Sequence, residues 1–154
     1  MSESTARVLG IAVKTERRGP MKEIQSAHAE EGGGLIEDLK VSPKRGITLI
    51  DRAAWEATCA DLGAPLLWTT RRANVLTEGI DLGGLIGKTI RVGEVELQIG
   101  GETDPCSLMD HFHQGLQEAL RPDCRGGVYG RVLKGGRIKV GDGVEIVGEV
   151  EPVK

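Results

Sequence analysis

Short apolar segments separated by glycines are the feature that most constrains the fold of this chain. The sequence has 23 glycines in 154 residues, and its apolar residues cluster in short segments such as 7–13, 46–50, 74–77 and 144–150. Glycine permits tight turns, and β-branched residues favour strands. The pattern therefore predicts a mainly β fold of the α+β class with a few helices, and not a helical bundle.

Two similar segments, 90–97 and 138–146, predict two hairpins that are far apart in the sequence. The first spans 88–99 and turns at Gly93-Glu94. The second spans 138–146. Separately, 127–133 is expected to pair through the turn 134–136 with 137–140. Repeated hairpins of this kind are typical of antiparallel sheets that close on themselves, so we expect a closed or nearly closed β-barrel. At this length, 1–154 is expected to form one domain, with a core from about residue 8 to residue 150.

Two helices are predicted among the strands. The first begins after Asp51, a favourable N-cap residue, and ends at Gly63. The second covers 107–120, where apolar residues recur at helical spacing and Ser107 begins a capping-box pattern. The polar stretch 14–45 is expected to be a long irregular loop.

The composition argues against several classes of protein. A formal net charge of −3 gives no electrostatic basis for nucleic-acid binding. No apolar run is long enough to span a bilayer, and the first residues lack the basic and apolar regions of a secretory signal. Three widely spaced cysteines do not make a disulfide framework. We therefore expect a cytoplasmic protein with neither membrane nor nucleic-acid partners.

Cys106 is the candidate nucleophile because it directly precedes the predicted second helix. The free N–H groups and the positive end of a helix dipole lower a thiol pKa and favour the thiolate. The alternative is an inert cysteine at a strand-to-helix corner. Cys59 shares a predicted helical face with Trp55 and Leu62 and is expected to be a core residue. Cys124 lies in a turn-rich segment, where it could approach Cys106 or be a bystander.

Arg71, Arg72, Asn74 and Arg125 are candidate binding residues. A guanidinium group is suited to bidentate recognition of phosphate or carboxylate. The first two precede a predicted strand together with the Asn74 amide, and Arg125 opens the Gly126-Gly127 pair. For each arginine the alternative is an ordinary solvated surface residue.

The order of several segments resembles a stand-alone MOSC domain, the module named after the C-terminus of molybdenum cofactor sulfurases. The resemblance extends over about 8–150 and is carried by SAHA (26–29), GITLID (46–51), NVLTEGIDL (74–82), IGK (86–88) with RVG (91–93), DPC (104–106) and RGGVYGRV (125–132). It implies a barrel-like, β-rich fold and one important cysteine, which maps onto Cys106. It also implies that Arg71, Arg72, Asn74 and Arg125 hold the phosphate of the pterin.

The resemblance implies a sulfur carrier or sulfurtransferase that holds sulfur as a persulfide on Cys106 and transiently binds the molybdenum cofactor (molybdopterin) or a related acceptor. No intrinsic pyridoxal phosphate is expected, so the partners would be a separate cysteine desulfurase or other sulfur donor, and a molybdoenzyme or cofactor acceptor. One alternative is a molybdenum-dependent reductase of N-hydroxylated compounds, in which Cys106 ligates the metal directly. Another is a non-catalytic cofactor- or metabolite-binding module. Residues 36–40 lack the histidine or arginine, and residues 101–103 the basic residue, often found there in the family, which lowers the positive charge expected near the pocket.

Overall fold

The computed structural model describes residues 6–16, 19–39, 46–105 and 107–149. The described residues form ten strands: β1 (Arg7–Lys14), β2 (Met21–Ile24), β3 (Ser26–Ala29), β4 (Ile47–Asp51), β5 (Val75–Glu78), β6 (Lys88–Val92), β7 (Val95–Glu102), β8 (Val128–Lys134), β9 (Gly136–Lys139) and β10 (Val144–Glu149). They also form three α-helices: α1 (Arg52–Leu62), α2 (Leu108–Phe112) and α3 (Leu116–Ala119). The prediction of a mainly β fold with a few helices is confirmed.

Eight of the strands form one sheet in the order β10-β6-β7-β8-β4-β5-β1-β2, and β3 pairs with β9 in a second, two-stranded sheet. The β4–β5 pair is parallel and the other ladders are antiparallel. The start of β1 reaches the turn between β9 and β10, where the Val8 N–H donates to the Asp142 carbonyl at 2.9 Å. Within the described residues, however, neither sheet closes into a barrel. The barrel therefore stays a prediction.

The predicted hairpin over 88–99 is confirmed, whereas the predicted pairing of 127–133 with 137–140 is wrong. Strands β6 and β7 pair directly, with Val92 opposite Val95 across the turn at Gly93. Strand β8 instead pairs with β7 and β4, and β9 crosses to β3. Gly135 allows a close approach to the second sheet, because a Cβ atom there would lie 2.6 Å from the Ala29 carbonyl oxygen. The two similar segments therefore occupy different positions, and β10 pairs with β6.

Helix α1 is confirmed together with both of its caps. The Asp51 carboxylate accepts a hydrogen bond from the Ala53 N–H at 3.1 Å, and Gly63 ends the helix in the left-handed conformation (φ 66°). The Trp55 indole on its buried side donates to the Leu66 carbonyl at 3.0 Å. Helix α1 therefore lies directly after β4, with its N-terminus at the end of that strand.

The predicted continuous helix over 107–120 is wrong. The chain leaves helical geometry at His113 (φ −160°) and turns through Gly115 (φ 90°), so two short helices form instead of one. In the described part of the chain, the Ser107 side chain makes no capping hydrogen bond. The Asp110 carboxylate accepts from the Gln117 N–H at 3.0 Å. Helix α2 has five residues, so the helix-dipole argument for a lowered thiol pKa at the preceding residue loses its basis.

The stretch 14–45 is not one irregular loop, because it contains β2 and β3. Residues 17–18 and 40–45 of this stretch lie outside the described residues. Strand β2 pairs with β1 and extends the large sheet, whereas β3 pairs with β9 in the second sheet.

The core has two parts. The sheet residues bury one cluster, and the helices bury a second one, made of Ile50, Trp55, Ala73, Leu76, Met109, Leu116 and Leu120. The helical cluster covers the part of the sheet where β4 and β5 lie side by side. Among the described residues, no helix is long and apolar enough to cross a membrane.

Candidate functional site

Cys106, the predicted nucleophile, lies outside the described residues. The chain on both sides of it is described. Thr103 and Pro105 before it are buried, and Met109 after it is also buried. The Pro105 carbonyl accepts a hydrogen bond from the Gln117 side chain at 3.3 Å. Buried and exposed residues therefore alternate in the segments that flank Cys106, where Asp104 and Ser107 are exposed.

Arg71 is buried and connects three separate segments. It ends a short 3-10 helix (Trp68–Arg71), and 6% of its surface is exposed. Its Nη2 donates to the Thr103 carbonyl at 2.9 Å, and its Nε donates to the Gly126 carbonyl at 3.1 Å. Its Nη1 lies 3.6 Å from the Sδ atom of Met109. The predicted phosphate ligand is thus an internal side chain that binds backbone.

The Gly126-Gly127 pair lets two backbone segments meet without side chains between them. A Cβ atom on Gly126 would lie 2.7 Å from the Thr103 carbonyl oxygen and 3.2 Å from Arg71 Nη2. Gly127 has a φ of 91°, and its carbonyl accepts from the Thr103 N–H at 2.8 Å. Both glycines are therefore required by close backbone approach, the first beside the guanidinium group and the second in a left-handed turn.

The Thr103 side chain is the one buried polar group left without a hydrogen-bond partner among the described residues, at its Oγ1 atom. Native proteins satisfy nearly all buried polar groups, so this hydroxyl has capacity for one more contact. The backbone groups of Thr103 already have partners: its carbonyl accepts from Arg71, and its N–H donates to the Gly127 carbonyl.

Asn74 is an internal structural residue with 2% exposure. Its Oδ1 accepts from the Thr48 N–H at 3.1 Å and from the Thr48 hydroxyl at 3.2 Å. Its Nδ2 donates to the Ala12 carbonyl and to the Asp38 carboxylate, each at 3.2 Å. The amide thereby links β1, β4 and the segment after β3, and its donors and acceptor already have protein partners.

Arg72 adopts the left-handed conformation (φ 66°) directly after the 3-10 helix. Its guanidinium donates to the Gly19 carbonyl and lies 5.9 Å from the centre of the Phe112 ring, a cation–π distance. Partial burial lowers the pKa of Arg72, and the charge of Asp38 acts in the opposite direction. Arg72 therefore lies between the loop after β1 and helix α2.

Arg125 connects helices α1 and α3. Its Nη1 lies 2.6 Å from the Asp61 carboxylate on α1 and donates to the Ala119 carbonyl on α3 at 3.0 Å. Its side chain is mostly buried, whereas that of Asp61 is exposed. The three arginines therefore donate hydrogen bonds to three different sets of protein partners. As a set, the four predicted binding residues do not fit a phosphate group of the molybdenum cofactor.

Cys124 lies in an acidic environment that the sequence did not predict. Burial, and then the charges of Glu102, Asp81 and Asp104, raises the pKa of the Cys124 thiol to about 11. Its Sγ lies 3.7 Å from the Gly127 carbonyl, and its backbone has a φ of 59°. A thiol with such a pKa is almost fully protonated near neutral pH and is a poor nucleophile.

A cleft of about 400 Å³ opens beside Cys124. It lies beside the N-terminus of α1 and two 3-10 helices, Leu82–Leu85 and Pro122–Cys124. Its lining residues are Asp51, Ala53, Ala54, Gly79, Ile80, Asp81, Leu82, Gly83, Asp123 and Cys124. Burial raises the pKa of Asp51, although its carboxylate is hydrogen-bonded to Thr77 and caps α1. The cleft contains carboxylates and no lysine or arginine among its described lining residues.

Cys59 packs partly buried against the helical cluster, as its helical register with Trp55 predicted. Its Sγ lies 3.7 Å from the Leu66 carbonyl, the same carbonyl that accepts from the Trp55 indole. The sequence therefore identified the surroundings of Cys59 correctly. It missed the acidic neighbours of Cys124, although the Gly126-Gly127 pair beside it was a visible signal of close backbone approach.

A model of the MOSC domain matches residues 37–145, which is most of the chain. The chain belongs to the MOSC domain family. MOSC domains are associated with the molybdenum cofactor, so membership connects this chain with that cofactor at the level of the family. A search of the curated proteins found no match.

Several solved structures share the fold. The YuaD protein from Bacillus subtilis has a TM-score of 0.81 at 20% identity, over 95% of this chain and 97% of that one. YiiM from Geobacillus stearothermophilus has a TM-score of 0.74 at 19% identity, over 92% of this chain and 75% of that one. YiiM from Escherichia coli has a TM-score of 0.73 at 16% identity, over 96% and 72%. At these identities the similarity shows the fold of this MOSC domain.

Proposed function

We propose that this MOSC domain is a sulfur carrier or sulfurtransferase that holds sulfur as a persulfide on Cys106. The sulfur would come from a separate desulfurase or other donor, and the acceptor would be the molybdenum cofactor or a protein that contains it. Family membership supports the link to this cofactor. The choice of Cys106 is supported by its match to the cysteine corner of the family, Asp104-Pro105-Cys106, and by the properties of the other two cysteines.

The observation that carries the proposal is the environment of Cys124, which does not suit a nucleophile, together with the apolar packing of Cys59. Cys124 has a thiol pKa of about 11, so roughly one molecule in a thousand is a thiolate at pH 8. Cys59 packs against the apolar residues of the helical cluster. These environments support Cys106 as the cysteine of a thiolate-based function.

The proposed step conserves atoms and electrons. The Cys106 thiolate attacks the outer sulfur of a donor persulfide, the S–S bond of the donor breaks, and the donor thiolate leaves. A new S–S bond on Cys106 replaces the old one, so no external oxidant or reductant is needed. Transfer to a thiolate acceptor is the same exchange in the opposite direction. We derive no step through the pterin phosphate, because the predicted phosphate ligands do not fit one.

The test is to incubate the protein with a small-molecule persulfide and locate the added sulfur by mass spectrometry of intact protein and peptides. We expect loading on Cys106, loss of loading in Cys106→Ser, and normal loading in the matched variants Cys59→Ser and Cys124→Ser. Equal loading of Cys106→Ser and the wild type contradicts the proposal. Molybdenum that stays bound through purification and is lost in Cys106→Ser would favour the reductase alternative.

A further inference from the structure

Three threonines are buried in the described part of the chain, and Thr103 differs from the other two. Thr58 and Thr77 are fully buried, and Thr103 is 6% exposed. The Thr58 hydroxyl donates to the Ala54 carbonyl at 2.9 Å, and the Thr77 hydroxyl donates to the Asp51 carboxylate at 3.0 Å. The Thr103 hydroxyl has no partner among the same residues. Its loss of hydration is uncompensated, which raises the free energy of the arrangement that buries it.

The main chain of Thr103 keeps its side chain in this unfavourable position. Its carbonyl accepts from Arg71 Nη2 at 2.9 Å, and its N–H donates to the Gly127 carbonyl at 2.8 Å. A Cβ atom on Gly126 would lie 2.7 Å from the Thr103 carbonyl oxygen, so the two segments are in close contact. We call these four residues the Thr103 junction. Its backbone hydrogen bonds favour the closed arrangement, and the unpaired hydroxyl opposes it.

Thr103 lies at the margin of the core. Glu102, the last residue of β7, is partly exposed, and Asp104 is exposed. A short outward movement of residues 103–104 would therefore bring the Thr103 hydroxyl into water. This movement breaks the hydrogen bonds with Arg71 and Gly127 and allows the hydroxyl and the released backbone groups to bond to water.

We propose that the Thr103 junction is a conformational switch, in which residues 103–104 open locally to a minor state that hydrates the Thr103 hydroxyl. The closed state has the two backbone hydrogen bonds, and the open state has the paired hydroxyl. A buried hydroxyl without a partner therefore increases the population of the open state by about tenfold relative to valine at this position. The switch is independent of the proposed sulfur transfer, because each of its residues is described and none of them is a cysteine.

The switch adjoins the cleft beside α1. The Gly127 carbonyl that accepts from the Thr103 N–H also lies 3.7 Å from the Sγ atom of Cys124, which lines the cleft. Opening at Thr103 removes one of the contacts that hold the turn carrying Cys124. The switch is therefore placed to change the shape of the cleft.

The test is native-state hydrogen exchange with single-residue resolution on the full chain. An amide that opens locally exchanges faster than an amide that requires global unfolding. The Thr103 amide, corrected for its intrinsic rate, is compared with the amides of the β6–β7 ladder. Thr103→Val keeps the branched shape and removes the hydroxyl, whereas Thr103→Ser keeps the hydroxyl. Thr58→Val and Thr77→Val are the matched controls, because their hydroxyls have partners.

We expect the wild-type Thr103 amide to exchange about a hundredfold or more faster than the ladder amides, because its opening is local. Thr103→Val should slow this exchange by about tenfold and raise the Tm by about 3–6 °C. Thr103→Ser should keep the fast exchange. Thr58→Val and Thr77→Val should lower the Tm, because each leaves an acceptor without its donor, and should keep the wild-type rate at Thr103.

A wild-type Thr103 amide that exchanges no faster than the ladder amides overturns the proposal, because the junction then opens only with the whole protein. This comparison does not depend on the folding of any variant. A Thr103→Val protein with a lower Tm and faster exchange at residue 103 also overturns it, because the hydroxyl then has a stabilising partner. So does a Thr103→Val protein with a higher Tm and the wild-type exchange rate at residue 103, because the hydroxyl then does not control the opening.

Discussion

Replacing Asn74 with alanine removes an amide that hydrogen-bonds to three segments. The Thr48 N–H and the Ala12 carbonyl lose side-chain partners at 3.1 and 3.2 Å, and the Asp38 carboxylate loses a donor at 3.2 Å. Asn74 is 2% exposed, so water does not readily take the place of the amide. The sequence predicted Asn74 to be a cofactor ligand, whereas these contacts predict a loss of stability.

The loss can be estimated from the groups left behind. Each buried polar group without a partner costs about 1–3 kcal/mol, and two backbone groups are affected. Allowing for relaxation around the site, we expect the free energy of unfolding to fall by about 3 kcal/mol. For a chain of this length that corresponds to a decrease in Tm of about 6–12 °C. The assay is thermal or urea unfolding followed by circular dichroism.

Asn74→Asp serves as the matched variant. It keeps the acceptor for the Thr48 N–H but places a carboxyl group against the Ala12 carbonyl and the Asp38 carboxylate. Burial and the neighbouring negative charge raise the pKa of the introduced carboxyl in the folded state. A raised pKa makes ionisation unfavourable to folding, so the penalty is absent below the unfolded pKa of about 3.9 and grows as pH rises through the folded value. The stability difference from the wild type should therefore widen with increasing pH.

The result that refutes this reasoning is an Asn74→Ala protein with the Tm of the wild type and a specific loss of cofactor or phosphate binding. Such a protein would show that the amide binds a ligand and that its contacts to β1 and β4 contribute little. A pH-independent difference between Asn74→Asp and the wild type would contradict the predicted contact with Asp38.

Two further predictions follow from the glycine turn and its cysteine. Alkylation of Cys124, measured by peptide mapping, should be slow at pH 8 and increase about tenfold per pH unit up to its pKa of about 11; rapid labelling near neutral pH would contradict this. In Gly127→Ala the free energy of unfolding should fall by about 4 kcal/mol or more, because a Cβ atom would lie 2.0 Å from the Leu49 carbonyl oxygen. Gly141→Ala has a similar φ of 98° in open space and should lose only about 1–2 kcal/mol, so equal losses in the two variants would refute the packing argument.

The local features of the fold were predictable because their determinants are near in the sequence. Asp51 and Gly63 cap α1 through groups within a few residues, and Gly93 turns the β6–β7 hairpin between directly paired strands. The mainly β architecture followed from the short apolar segments separated by glycines, and the family resemblance added the expectation of one important cysteine, Cys106. These parts depend on propensity, capping and turn chemistry, which sequence patterns report directly.

The remaining features depend on partners that are distant in the sequence. The segment 136–139 is compatible with pairing to β8, but its ladder forms with β3, more than a hundred residues away. Strand pairing of this kind is selected by the whole sheet and not by the local pattern. Likewise, the sequence predicted Arg71 and Asn74 as binding residues at the entrance of a strand. Their partners, Thr103, Gly126 and Ala12, were not identifiable from spacing alone.

A single junction accounts for several of the properties around the candidate thiol. The carbonyl groups of Thr103 and Gly126 converge on one buried guanidinium, which favours arginine over lysine at position 71. Beside this junction, Gly127 adopts a left-handed turn and its carbonyl accepts from the Thr103 N–H. Burial and the charges of nearby carboxylates, Glu102 among them, keep the Cys124 thiol protonated. Of the two cysteines on these adjoining segments, Cys124 is therefore a poor nucleophile because burial and nearby charges keep it protonated. The other, Cys106, follows a backbone that Arg71 holds in place.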